Sequence, residues 1–220
     1  MRSFLQVKTV VFCLLFVLLL CSFAQAQGTD SMEIFMPLRT QHTNVWCWAA
    51  AIGMVVEYTK GFPIQDCEVL NEYELRNGGR GLCCLASPEC NRTGKLSEMA
   101  SIMSGIFKIK GGYRHGPLPF DELVKHIDEK KPILAALMFG KDGHVAVIAG
   151  YQKSSKSVII YDPAHGRVVV PYAQLVNRAI SPNWLGSFMI ESPRSVFPKC
   201  KRTTVTESEE KGPRLRIECE

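Results

Sequence analysis

The stretch QHTNVWCWAAAIGMVVEYTK, residues 41–60, decides how this chain is read. From Trp46 to Tyr58 it is almost wholly apolar and rich in alanine, which predicts a helix buried on every side rather than along one stripe. Gly61 and Pro63 end that helix. Cys47 stands in its first turn. A thiol there faces unpaired N–H groups and the positive end of the helix dipole, which favours the thiolate, the nucleophilic form. The competing reading is a buried structural cysteine, which behaves as a small hydrophobe.

Cysteine usage bears on that choice. The 220-residue chain carries nine cysteines, more than a cytosolic protein of this size usually has. It opens with a leader: Arg2 and Lys8 are basic, Thr9 to Phe23 is nearly all apolar, and Ala24-Gln25-Ala26 is a small-x-small cleavage signal. The apolar run spans about 15 residues, short of the roughly 20 that cross a bilayer. Leu20 ahead of Cys21 is too bulky for a lipoprotein site. Residues 1–26 therefore read as a signal peptide, and the mature chain as secreted or periplasmic. Without Arg2 and Lys8 the net charge falls from +5 to +3, with no basic stripe for nucleic acid. Cys13 and Cys21 leave with the leader. Cys47, Cys67, Cys83, Cys84, Cys90, Cys200 and Cys219 remain. In an oxidising compartment an odd count leaves one thiol, and if the other six pair it is Cys47.

Downstream, residues 64–75 fit a second helix. Residues 76–95 read as a loop crowded with glycine and cysteine, and Leu96–Met103 as a short helix. Phe120, Leu123, Val124 and Ile127 form one helical stripe. The runs 132–139, 144–151 and 157–163, separated by GKDG and KSSK, predict an antiparallel meander. RVVVPY and WLGSFMI add two strands, with a short helix near Tyr172–Asn177. Helices first and an antiparallel sheet second make an α+β domain over 27–191. Residues 27–40 show little pattern. Residues 192–220 read as a separate polar extension whose hairpin turn in TESEEKGP would set Cys200 opposite Cys219, as for a cross-strand disulfide. Asn91-Arg92-Thr93 is a glycosylation sequon.

A nucleophilic cysteine needs a base, and the base an orienter. His42 is too close in sequence, His126 sits in the charged KHIDEKK stretch on an expected solvated face, His115 lies in a Gly/Pro loop, and His165 follows Asp162 in a turn. His144 opens an apolar strand, and Asp162 ends the next one, so adjacent strands can hold the two side by side. Each also has a plain reading: a satisfied strand-end histidine, and a turn-initiating Asp before Pro163. Gln41, six residues before Cys47, offers a side-chain amide that can donate to an oxyanion.

QHTNVWCWAA, GHVAVIAGY and VIIYDPAHG together resemble the papain-like cysteine peptidases, in particular the compact bacterial effector proteases and C39-like double-glycine peptidases. The resemblance spans about residues 38–191. It implies a nucleophile helix packed on an antiparallel sheet, Cys47 as nucleophile, His144 as general base and acid, Asp162 as its orienter and Gln41 in the oxyanion hole. Trp184 resembles the aromatic that opens the last strand in such domains. It further implies action on a peptide or protein substrate with no metal or other cofactor. A monomer is expected, with no nucleic acid partner, given the charge pattern, and no membrane once the leader is cut, since no second apolar run is long enough to span. The cysteines of residues 76–95 and the tail after 191 depart from the family pattern. Three other readings stay open at this level: a transglutaminase-like acyltransferase or deamidase, an inactive binding module, and a zinc site at Cys67, Cys83, Cys84 and Cys90.

Overall fold

A computed structural model describes residues 29–177, 183–191, 200–205 and 214–219. The leader expectation lies outside these residues. Helix α1 (Cys47–Lys60) is buried along nearly its whole length, from Cys47 to Val56, because it has no polar face to offer water. It ends where Gly61 turns left-handed at φ 76° and returns its N–H to Glu57. Helix α2 (Asp66–Arg76) opens with Asp66 and Glu68 in its first turn, where acids suit the helix dipole, and the Glu68 carboxylate accepts the Gln65 N–H at 2.9 Å. A short α3 (Leu96–Ser101) runs into a π turn at Ile102–Ile106. In α4 (Phe120–Asp128) only the stripe of Leu123 and Ile127 is fully buried.

The sheet holds seven strands: β1 (Ser31–Glu33), β2 (Gly111–His115), β3 (Ile133–Phe139), β4 (Asp142–Gln152), β5 (Ser157–Asp162), β6 (Gly166–Pro171) and β7 (Asn183–Ile190). Their order is β2-β7-β3-β4-β5-β6, and every pairing is antiparallel. β5 is buried at all six positions, as a strand covered on both faces must be, whereas edge strand β6 alternates between half-buried and exposed residues. A short α5 (Tyr172–Val176) follows β6. β1 extends the row that β3 begins: β3 pairs with β4 up to Ile148, and β1 pairs with it from Gly150 to Gln152. Its Glu33 carboxylate accepts from Tyr161 at 2.8 Å and from Arg167 at 2.7 Å. The α+β class and the meander stand as predicted from sequence. Three expectations are corrected. Residues 27–40 contain β1. His115 lies on β2 rather than in a loop. His126 is half-buried, with Nε2 enclosed and unpaired, so burial and then the Lys131 charge push its pKa below the ordinary histidine value.

Two disulfides, Cys67–Cys84 and Cys83–Cys90, staple the loop after α2. They remove the zinc reading, because all four candidate ligands are consumed. Among the described residues Cys47 is the free cysteine. Strands β8 (Cys200–Val205) and β9 (Arg214–Cys219) form a separate hairpin sheet whose register sets Cys200 against Cys219. Their side chains, and hence the expected disulfide, lie outside the described residues. This hairpin does not stand apart: Arg214 donates to the Leu75 carbonyl at 3.4 Å, and the Leu215 N–H binds the Glu72 carboxylate, both on α2. Among the described residues no helix is long and apolar enough to cross a membrane.

Loop length sets the expected cost of opening each staple. Cys67–Cys84 closes 17 residues and Cys83–Cys90 closes seven. Urea melts of Cys67→Ser/Cys84→Ser and Cys83→Ser/Cys90→Ser variants are expected to show losses of roughly 3 and roughly 2 kcal/mol, the longer loop costing more.

Candidate active site

Cys47 is the first residue of α1, and no side chain caps that helix start. Cys47 lines an open cleft of about 880 Å³ together with Gln41, His144, Ala164 and His165. Cys47 is 5% exposed, so it meets solvent only through this cleft. Both tryptophans beside it hold the stapled loop. Trp46 Nε1 donates to the Cys90 carbonyl at 2.8 Å, and Trp48 Nε1 to the Arg92 carbonyl at 3.3 Å. The loop continues as Thr93 and Gly94 along the cleft wall. A Cβ on Gly94 would lie 2.5 Å from the Trp48 ring, so only glycine allows this approach.

His144 comes from the third position of β4 and Asp162 from the end of β5. His144 Nε2 lies 2.8 Å from Asp162 Oδ1. Cys47 and His144 line the same cleft. A β-bulge makes the meeting of His144 and Asp162 possible. Near the β4–β5 turn the register pairs Gly150 with Ile159, but past an extra residue in β4 it pairs Ile148 with Ile160 and Val147 with Tyr161. One step further, Ala146 falls opposite Asp162, and His144 is on the same face as Ala146, within diagonal reach. Without the extra residue Val147 would take that place, and His144 would point to the opposite face. Gly150 sits at the bulge, where a Cβ would meet the Met32 carbonyl at 2.7 Å.

Burial alone would depress the His144 pKa. The Asp162 carboxylate, by hydrogen bond and charge, and the neighbouring Cys47 outweigh it and lift the pKa to about 9. Burial likewise works to raise Asp162, but its bonds with His144 and the Ala164 N–H, together with the His144 charge, bring it below the ordinary aspartate value. Asp162 Oδ1 accepts the Ala164 N–H at 2.7 Å and the His165 N–H at 3.2 Å. The His165 ring, placed by sequence only in a turn, proves to rim the cleft, with Nδ1 3.3 Å from Asp162 Oδ2. Nothing in the sequence separated it from an ordinary turn histidine. The ligand-type atoms of His144, Asp162 and His165 lie within 4.8 Å of one another.

Gln41 reaches the same cleft from the segment before α1. Its backbone N–H donates to Pro163 O at 3.1 Å, just beyond Asp162, and its Nε2 donates to Thr43 O at 2.7 Å. The amide keeps a second N–H. Phe139 meets the His144 ring edge-on at 5.6 Å between centroids. Trp184 is buried in β7 and donates to Ser187 Oγ at 2.9 Å. His42, set aside in the sequence reading, bonds with Asp66 at 2.6 Å.

The His144–Asp162 pair ties stability to pH. His144 keeps its proton to about pH 9 folded, against about 6.5 unfolded, so its contribution is whole below about 6.5 and is lost as pH rises through about 9. Asp162 acts at the acid end, its contribution vanishing as pH falls below the ordinary value of 3.8 through the lowered one. Thermal melts from about pH 6 to about 9.5 are expected to show a larger fall in Tm for the wild type than for His144→Gln.

The Peptidase_C39 like family matches residues 33–185 of the sequence. No curated protein matches it. Among solved structures, a putative C39-like peptidase from Bacillus anthracis superposes with a TM-score of 0.51 at 13% identity, covering 75% of this chain and 100% of that one. A double glycine motif protease from an AMS/PCAT transporter, in complex with the leader peptide, gives 0.48 at 17% identity over 72% and 94%. Xylellain, a cysteine protease from Xylella fastidiosa, gives 0.48 at 12% identity over 76% and 87%. With the family match covering most of its length, the chain belongs to the Peptidase_C39 like family, within the papain-like cysteine peptidase superfamily.

Proposed function

We propose that this chain is an exported cysteine peptidase in which Cys47 is the nucleophile, His144 the general base and acid, Asp162 the orienter of His144, and Gln41 an oxyanion donor. One observation carries the reading: a free cysteine at a helix start lines the same open cleft as a histidine that bonds with a buried carboxylate. The leader pattern and the two disulfides support work outside the cytosol.

The chemistry follows from these positions. The Cys47 thiolate, paired with His144 imidazolium, attacks a peptide carbonyl and forms a C–S bond. The second N–H of the Gln41 amide and a backbone N–H at the α1 start stabilise the developing oxyanion. As the C–N bond breaks, His144 passes its proton to the leaving amine. Neutral His144 then takes a proton from water, which attacks the thioester and releases the acid, restoring the thiolate–imidazolium pair. Asp162 fixes the ring and favours its charged form throughout. No step calls for a metal.

The deciding experiment needs no substrate. Residues 27–220 are labelled with iodoacetamide from about pH 4 to about 9, in the wild type and in His144→Ala. Rapid labelling of Cys47 well below the free-thiol pKa of about 8.5, lost in the variant, is the expected result. Slow labelling indifferent to His144 would instead indicate a binding module. With a peptide substrate in hand, Gln41→Ala is expected to lower kcat by about 10²–10³ while leaving labelling intact. Hydrolysis is expected to decline as pH rises through about 9, where His144 loses its proton. Backbone cleavage rather than a gain of about one dalton per glutamine separates peptidase from deamidase.

A further inference from the structure

Asp66 is a buried carboxylate, 3% exposed, that the chemistry above does not use. It is the first residue of α2, and its Oδ1 accepts the Cys67 N–H at 2.8 Å, as suits an acid at a helix start. It also reaches outside its helix. Oδ2 accepts the backbone N–H of His42 at 2.8 Å, and Oδ1 lies 2.6 Å from His42 Nδ1. The His42 ring itself is largely exposed, at 63%, so the partner that leaves water to make this contact is the carboxylate. A buried carboxylate is costly unless its lone pairs are filled, and here two of its partners belong to one residue of a distant segment.

That residue follows Gln41. The Gln41 N–H is held by Pro163 O, and the next N–H along the chain, that of His42, is held by Asp66. The Gln41 backbone is thereby bracketed between the Asp162 loop on one side and the α2 start on the other. Two buried oxygens in the bracketed turn, Gln41 Oε1 and Thr43 Oγ1, have no hydrogen-bond partner. The turn is therefore not held by its own side chains alone, and the outside clamps set its position.

We propose that Asp66 is the positioning residue for Gln41, clamping His42 so that the Gln41 amide is presented at the cleft that Cys47 lines. The proposal rests on the peptidase reading for its kinetic consequence. Its structural consequence is independent of that reading.

The structural arm compares hydrogen exchange, read by mass spectrometry, in the wild type and Asp66→Asn. Asn keeps the volume but cannot accept both N–H groups as the carboxylate does. Faster exchange across residues 41–43 with β4 unchanged is expected. Unchanged exchange there overturns the proposal, even in a protein that cleaves nothing. The kinetic arm is a double-mutant cycle with Gln41→Ala. Asp66→Asn alone is expected to lower kcat about tenfold, with KM and Cys47 alkylation within about twofold. In the Gln41→Ala background the further loss is expected to shrink to within about twofold. An equal loss in both backgrounds, or a parallel fall in alkylation, overturns it. If Asp66→Asn does not fold, the exposed His42→Ala repeats the cycle with a smaller expected loss of about threefold. A wild type with no hydrolysis but faster 41–43 exchange in Asp66→Asn would count against the peptidase reading alone.

Discussion

One extra residue in β4 governs the candidate site. Strand side chains alternate between faces, so whether His144 and Asp162 share a face is a question of parity, not of distance. The turn between β4 and β5 sets one parity, and the bulge between Ile148 and Gly150 changes it to the other. Gly150 is suited to that place because the strand is approached closely there by β1 on one side and by Ile159 on the other. Everything chemical about the pair, including the raised His144 pKa, depends on this local irregularity in an otherwise regular meander.

The rest of the molecule sets Cys47 at the cleft that His144 also lines. α1 is apolar on all sides and can only be placed inside, between the sheet and the second helix. Its burial fixes where its first residue emerges, and the cleft opens there. Trp46 and Trp48 then serve both layers at once. Their rings are in the core, while their indole N–H groups hold the stapled loop that forms a cleft wall. The sequence neighbours of Cys47 thus hold in place part of what surrounds it.

Much of this was legible in the sequence, for physical reasons that differ from element to element. α1 was readable because an unbroken apolar run of helical length has few other fates. The meander was readable from period and turns. Gln41, Cys47 and His144 line one cleft, and His144 bonds with the buried Asp162 behind it. β1 and β2 were not readable. Ser-Met-Glu is too short to show alternation, and Gly-Gly-Tyr-Arg-His becomes a strand only because β7 supplies partners for it. His126 misled because charged neighbours suggested a solvated face, whereas the ring is half-buried with Nε2 enclosed. Asp66 and His165 carried no local signal, since each matters through partners that only the fold brings near.

The stapled loop and the free thiol ask opposite things of the surroundings. An oxidant strong enough to carry Cys47 to sulfenic acid and beyond would remove the candidate nucleophile. A reductant strong enough to open Cys83–Cys90 would free the segment that Trp46 and Trp48 hold along the cleft. The intact site therefore exists within a redox window, bounded above by one sulfur and below by two others. The width of that window, rather than either chemistry alone, determines where the protein can work.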